Sequence, residues 1–301
     1  MGIHTKSYIL ATRPWSFTMT LISALIPAIL ASSLPDFQSI LIAPLLIGLI
    51  IVHGATNVLN DYYDTKHGVD TADAPTAQYR RHPLISGDIS PRALKRYALI
   101  LYLAAILLAL LLTYHRGLPV LGFVLLGLLV SIFYTADPVS YKHLALGEVA
   151  AFLMWGPVMM GASFYVLAGS WTGAKQVLLL SIPQGLWVGL VLFANNLKDI
   201  SFDGGKGIST LGTRFGRAKS RGIFVAALLV IYIATVAEVL WGVLPLWSLL
   251  TLLSMPLALS LALRLTRGDE VPADADPRTA QVGMVFGLLL LFSLGIERFF
   301  A

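Results

Sequence analysis

Charge is scarce in this 301-residue chain. Only 12% of its residues are Asp, Glu, Lys or Arg, about half of the roughly 25% that a soluble domain carries. With 57% hydrophobic residues and a mean hydropathy of +0.79, this excludes an ordinary soluble enzyme and a disordered chain. Cysteine is absent altogether, which excludes structural disulfides and thiolate metal sites. Strict alternation of apolar and polar residues is missing as well, and with it the signature of a lipid-facing β-barrel. What remains is a polytopic α-helical membrane protein.

Apolar runs long enough to cross a hydrocarbon core of about 30 Å as helix occur nine times: Trp15–Leu34, Ile40–Leu59, Tyr97–Tyr114, Leu118–Tyr134, Leu146–Ala168, Val177–Leu197, Ile223–Trp241, Val243–Leu263 and Ala280–Ile296. The chain reads as a single domain, residues 1–301, forming an all-α bundle of nine transmembrane helices. Lys and Arg then orient it. With nine spans, 18 of the 21 basic residues fall on the side of the N-terminus, and only Arg116, Lys175 and Arg298 fall on the other. By the positive-inside rule the first side is cytoplasmic, as expected of a protein of the plasma (inner) membrane. The long connections, 60–96 and 198–221 above all, lie on that side, and long ordered loops tend to be functional. An active-site cavity is therefore expected at the cytoplasmic face. Prolines 27, 44, 157, 183, 245 and 256 fall inside the spans and are expected to kink them.

Two of the spans run into acidic motifs. The second leads into Asn57-Val-Leu-Asn60-Asp61-Tyr-Tyr-Asp64-Thr-Lys66-His-Gly68-Val-Asp70, and the sixth into Asn195-Asn196-Leu-Lys198-Asp199-Ile-Ser-Phe-Asp203. If the helices continue, His53, Asn57, Asn60, Asp61 and Asp64 share one helical stripe, as do Asn195, Asn196, Asp199 and Asp203. Carboxylates at a membrane boundary are costly, and several converging on one cavity repel one another. A hard divalent cation relieves both problems: Mg²⁺ takes one or two carboxylates and completes its shell with water and phosphate oxygens. One such motif alone is more often a solvated helix end. Two on one face, beside basic residues, are what a Mg²⁺-bridged diphosphate needs. A cation-coupled transporter or channel is the rival from another class, although inverted repeats with sites near the midplane, common in transporters, are not evident.

These residues resemble the UbiA superfamily of intramembrane prenyltransferases, nine-helix enzymes that move an isoprenoid chain from a diphosphate onto an acceptor. The first motif is similar to the superfamily's first acidic signature. Its later Gly68-x-Asp70 spacing resembles the branch that acts on 1,4-dihydroxy-2-naphthoate in menaquinone biosynthesis. Asn195 to Asp203, followed by Thr210-Leu211-xx-Arg214-x-Gly216, looks like the second signature of that branch. Arg13-Pro14, Pro83-Leu-Ile-Ser-Gly87 and Tyr134-Thr135 with Leu146-Gly147-Glu148 are weaker echoes. The chain departs from the branch at Ala136-Asp137-Pro138, where a Gly-Gly-Pro-like run is usual, and at Ile208, where a basic residue is usual.

The resemblance implies a membrane-embedded enzyme with a polyprenyl diphosphate as donor and an aromatic acceptor. Asp61, Asp64, Asp199 and Asp203 would be the catalytic carboxylates holding two Mg²⁺ ions, with Asp70 as a further ligand. Arg13, Asn57, Asn60, Lys66, Arg81, Lys142, Asn195 and Lys198 would bind the diphosphate, Arg13 and Lys142 foremost because they match family positions. The dihydroxynaphthoate is the acceptor the branch implies; 4-hydroxybenzoate or a glycerol-phosphate lipid are alternatives. Membrane lipid surrounds the protein, and neither nucleic acid nor an obligatory protein partner is implied.

Overall fold

The computed structural model describes residues 3–72 and 81–300, so Arg80 and the 73–80 part of the 60–96 connection lie outside the described residues. Among the described residues the chain is helical, with no strand. The elements are α1 (Ile3–Ala11), α2 (Phe17–Ala31), α3 (Ile42–Lys66), α4 (Pro91–Arg116), α5 (Leu118–Phe133), α6 (Gly147–Leu153), α7 (Met159–Ala168), α8 (Ala174–Lys198), α9 (Ile200–Gly205), α10 (Leu211–Leu240), α11 (Met255–Thr266) and α12 (Ala275–Phe300). Eight helical stretches are long and apolar enough to cross a membrane, and α5 is a shorter apolar helix. Together they overlie the nine apolar runs of the sequence. Several continue beyond the apolar run. The second extends through its acidic motif to Lys66, and the seventh begins at Leu211 rather than Ile223. Much of 198–221 is thus helical.

Two compact units make up the chain. The first comprises the residues up to Phe17 together with Ala43–Leu144. Its core is Ala11, Ala55, Val58, Leu59, Ile89, Leu94, Ala98 and Tyr102. Small side chains let its helices close up: a Cβ at Gly54 would sit 3.1 Å from the Thr12 Cβ. Ser131 Oγ lies 2.6 Å from both Thr56 Oγ1 and Tyr102 Oη. In an apolar surrounding, such hydroxyl pairs act as interhelical ties. Ser90 caps α4 by accepting from the Ala93 N–H, with Pro91 in the first turn, where its missing N–H costs nothing.

The second unit comprises Thr18–Ile42 and Ala145–Ala301. Its centre is the predominantly apolar α8, where Gly185-xxx-Gly189 meets the fifth span at backbone distance. A Cβ at Gly185 would lie 2.6 Å from the Phe152 carbonyl oxygen, and one at Gly156 would lie 2.6 Å from that of Ser181. Only glycine permits this approach, the packing mode of small-xxx-small motifs. The fifth span bends here: residues Met154–Val158 form a π-helical turn with non-helical Gly156 just before Pro157, the expected site of a kink. Pro27 and Pro183 sit within continuous helices. Pro245 precedes the eighth span, and Pro256 sits within it, where the 3-10 stretch Leu246–Ser254 passes into α11.

Candidate active site

In the first unit, α3 meets neither proline nor glycine between Ala55 and His67, so the helix carries its polar stripe beyond the apolar layer. Gly68, at φ 70°, ends it. The N–H groups of Val69 and Asp70 then fold back onto the Asp64 carbonyl at 2.8 and 3.1 Å, the hallmark of a helix closed by a left-handed glycine. This turn returns Asp70 to the end of the helix. Asp61, Asp64 and Asp70 are all buried, Asp61 completely.

Each of these carboxylates has a positively charged or N–H partner. Arg13 donates from Nη2 to Asp61 Oδ1 at 2.5 Å. Its own backbone is left-handed, at φ 54° and ψ 60°, a conformation that costs a non-glycine residue about 1–3 kcal/mol and collects at functional sites. Asn57 fastens the same turn by donating to the Thr12 carbonyl at 2.9 Å. Lys142 donates to Asp64 Oδ2 and, at 2.9 Å, to Asn60 Oδ1, while Asn60 Nδ2 donates to Asp64 Oδ2 at 2.9 Å. Among the described residues Asp64 Oδ1 has no hydrogen-bond donor; it lies 3.8 Å from His143 Nε2. Burial, with Lys142 and His67 nearby, pushes the His143 pKa down to about 4, so the ring is neutral at pH 7.

His82, which the sequence did not single out, supplies the third partner. It is buried, its Nδ1 accepts from the N–H groups of Leu84 and Ile85 at 3.3 and 3.4 Å, and its Nε2 lies 3.1 Å from Asp70 Oδ2 and 3.9 Å from Asp61 Oδ1. Because Nδ1 accepts, Nε2 carries the proton and donates to Asp70. Ligand atoms of Asp61, Asp70 and His82 lie within 4.8 Å of one another. The oxygen donors of Asp61, Asp64 and Asp70, with one Asp64 oxygen free to ligate, suit a hard divalent cation. With its proton on Nε2, His82 suits the role of a carboxylate orienter.

The remaining basic candidates of this unit are engaged elsewhere. Lys66 donates to Asp137 Oδ2 at 2.6 Å, with His67 Nε2 2.9 Å from the other oxygen, and the Lys66 hydrogen bond holds the Asp137 carboxyl below its usual range. Arg81 forks onto Asp88 at 2.5 and 2.6 Å and depresses that carboxyl to about 2.

In the second unit the polar stripe is broken. α8 stops at Lys198, Asp199 adopts φ −93° and ψ 7°, and α9 carries Asp203. Hydrogen bonds from the Asp199 N–H to the Asn195 carbonyl (3.2 Å) and from the Asp203 N–H to the Asp199 carbonyl (2.9 Å) keep the motif turning. The two asparagines separate in role. Asn195 Oδ1 accepts from Lys198 Nζ at 2.9 Å, and that ammonium also donates to Asp276 at 2.6 Å. Asn196 instead donates to Glu148 Oε1 at 2.9 Å. Buried Glu148 accepts from the Leu211 N–H as well, at 3.1 Å, tying three elements together. Thr210 and Thr213 then form a capping box at the start of α10, and Gly216, at φ 73° and ψ 164°, breaks that helix after its first turn.

Residues 20–292 match the UbiA prenyltransferase family. The chain is 31% identical over 238 residues to "UbiA prenyltransferase domain-containing protein 1" of Dictyostelium discoideum, covering 75% of this chain and 68% of that protein. It is 28% identical to "1,4-dihydroxy-2-naphthoate octaprenyltransferase" of Bacillus subtilis, covering 96% of this chain and 92% of the relative. Among solved structures, the apo UbiA homolog from Aeropyrum pernix K1 superposes with TM-score 0.71 at 16% identity, over 94% of this chain and 98% of that one. The Archaeoglobus fulgidus homolog bound to GPP and Mg²⁺ gives TM-score 0.62 at 15% identity, over 98% and 100%. With its apolar helices and its acidic helix ends, this chain is an integral membrane protein and belongs to the UbiA prenyltransferase family.

Proposed function

We propose that this protein transfers a polyprenyl chain from an allylic diphosphate to an aromatic acceptor, 1,4-dihydroxy-2-naphthoate in menaquinone biosynthesis, in a Mg²⁺-dependent reaction at the cytoplasmic face. The observation that carries the reading is the buried carboxylate cluster of the first unit, with Arg13 on Asp61 and Lys142 on Asp64. Carboxylates and cations interleaved in this way suit a ligand that is itself a metal-bound polyanion. The full-length similarity to a naphthoate octaprenyltransferase supports the acceptor. The GPP and Mg²⁺ held by a protein of the same fold support the donor and the metal. The excess of Lys and Arg on one side supports the orientation.

In this reading Asp61, Asp64 and Asp70 of one motif and Asp199 and Asp203 of the other hold Mg²⁺. The bound metal supplies Lewis-acid neutralisation of the diphosphate leaving group. Arg13 brings a planar fork and Lys142 a point charge to the diphosphate oxygens, and Asn60 and Asn195 orient them. His82 keeps Asp70 turned inward. A ring carbon of the acceptor forms a bond to the allylic carbon as the carbon–oxygen bond to diphosphate breaks; that ring carbon then gives up its proton, and a proton replaces the naphthoate carboxylate as it departs as CO₂. The apolar tail of the product belongs in the bilayer, which is why the chemistry sits among membrane helices.

Purified protein in lipid nanodiscs, given a prenyl diphosphate, Mg²⁺ and a panel of hydroxylated aromatic acids, tests this by mass spectrometry. A prenylated naphthoate product that vanishes with EDTA is expected. No prenylated acceptor, with EDTA without effect, overturns it; preference for a glycerol-phosphate lipid would move the acceptor assignment.

A further inference from the structure

Below the second acidic motif, the second unit contains a narrow cleft whose volume, about 10 Å³, has room for one hydroxyl- or water-sized group. Thr18, Met19, Gln184, Trp187, Val191 and Met284 are among the residues that line it. Gln184, Trp187, Val191 and Asn195 recur at helical spacing on α8, so the cleft and Asn195 share one stripe. Trp187 lies two turns, about 12 Å, from Asn195 along that helix. The walls are apolar and include two adaptable methionines, yet two side chains bring polar atoms that nothing satisfies. Gln184 Oε1 and Trp187 Nε1 are both buried with no hydrogen-bond partner among the described residues, in side chains of residues only 2% exposed.

Both side chains are held in place. The Gln184 amide nitrogen donates to Ser23 Oγ at 3.1 Å, which leaves its oxygen as the open valence. The Trp187 indole packs against Phe286 and Tyr232, with ring centroids 5.8 and 6.4 Å away. Gly283 lies flat on it, since a Cβ there would come within 3.2 Å of the ring. The site is therefore one fixed acceptor and one fixed N–H donor, three residues apart on one helical face, on side chains that line an apolar slot.

We infer that this pair is a hydroxyl-recognition subsite for the acceptor ring: one ring hydroxyl donates to Gln184 Oε1 and accepts from Trp187 Nε1–H. The inference rests on the proposed prenyl transfer and adds to it the residues that select the acceptor. A neutral hydroxyl is the group that carries one proton and open lone pairs at once. An isoprenoid chain would leave both protein atoms unsatisfied, a carboxylate has no proton for Gln184, and an ammonium has no lone pair for Trp187. A hydroxyl donating to Gln184 also pushes electron density into its ring, which favours attack through carbon.

The experiment compares a dihydroxynaphthoate with its mono-O-methyl ether, in wild type and in Trp187→Phe and Gln184→Leu. It reads the KM for acceptor and for prenyl diphosphate, and separately the equilibrium binding of each naphthoate without donor. The subsite predicts that wild type binds the methyl ether about tenfold or more weakly, the factor that an unpaired buried polar group brings. Each variant should raise the acceptor KM about tenfold, leave the diphosphate KM unchanged, and lose the discrimination between the two rings. Equal binding of naphthoate and ether by the wild type overturns the inference, and that arm needs neither a variant nor turnover. A variant effect confined to diphosphate KM or tail-length preference also overturns it, assigning the cleft to the isoprenoid chain. Unchanged constants throughout would leave the pair holding only a water. Absence of any prenyl product with discrimination intact in the binding arm would sink the proposed reaction and keep the subsite.

Discussion

The first acidic motif runs along an unbroken helix, and each of its carboxylates faces a group that can donate: Asp61 faces Arg13, Asp64 faces Lys142, and Asp70 faces His82. The second motif straddles a helix break at Asp199, and its surroundings are organised from the side. Glu148 grips Asn196 and the first turn of α10, and Lys198 joins Asn195 to Asp276. Similar residues at similar spacing are thus ordered by opposing charge in one unit and by a bracing carboxylate and broken backbone in the other. Sequence similarity between two motifs does not make them physical copies.

Substitution at the carboxylates proposed to hold metal should give the largest effect and should ignore the difference. Asp61→Asn and Asp199→Asn are each expected to cut turnover by about 10²–10³-fold, the scale on which losing one electrostatic stabiliser acts, with the protein still folded by circular dichroism. A rate near wild type for either would show that its motif lies outside the chemistry. The comparison sharpens with stability. Lys142→Met strands the buried Asp64 charge and should cost about 3 kcal/mol or more. Glu148→Ala removes one acceptor from Asn196 and Leu211 and should cost about 1–3 kcal/mol. Denaturation in mild detergent reads both, and a larger loss at Glu148 would reverse the contrast.

The smallest effect concerns acid. Asp88 is depressed to about 2 by Arg81, so the pair contributes fully above the ordinary carboxylate value near 4 and fades as pH falls toward 2. Melting curves should be flat in this contribution from pH 5 upward. Arg81→Gln should remove the extra loss below pH 4, and an unchanged acid limb would show that the fork is not populated in solution.

The nine spans were legible because hydropathy over about 20 residues reports the bilayer directly. So was the placement of the first motif on one stripe, because α3 carries no breaker before Gly68. The break at Asp199 was not legible: Asn195 to Asp203 contains neither proline nor glycine, so no local breaker marks it. His82 was missed for a related reason. It sits in a turn with no periodicity, 12 residues from the Asp70 that it orients, and only the fold brings them together. Glu148 was visible as a charge at a span end, but its two donors come from distant segments. Gln184 carried no signal at all, since an isolated amide in an apolar run shows its meaning only once its oxygen is seen to lack a partner.

The backbone contact at Gly185 and Gly156 has a bearing on how the enzyme meets different membranes. Helices in thicker or thinner bilayers adjust by tilting or by sliding past their neighbours. Two spans whose main chains interlock this closely lose the second option and must lean as one. The depth of Glu148 relative to Asn196 is then a fixed dimension of the protein, insulated from the thickness of the lipid around it.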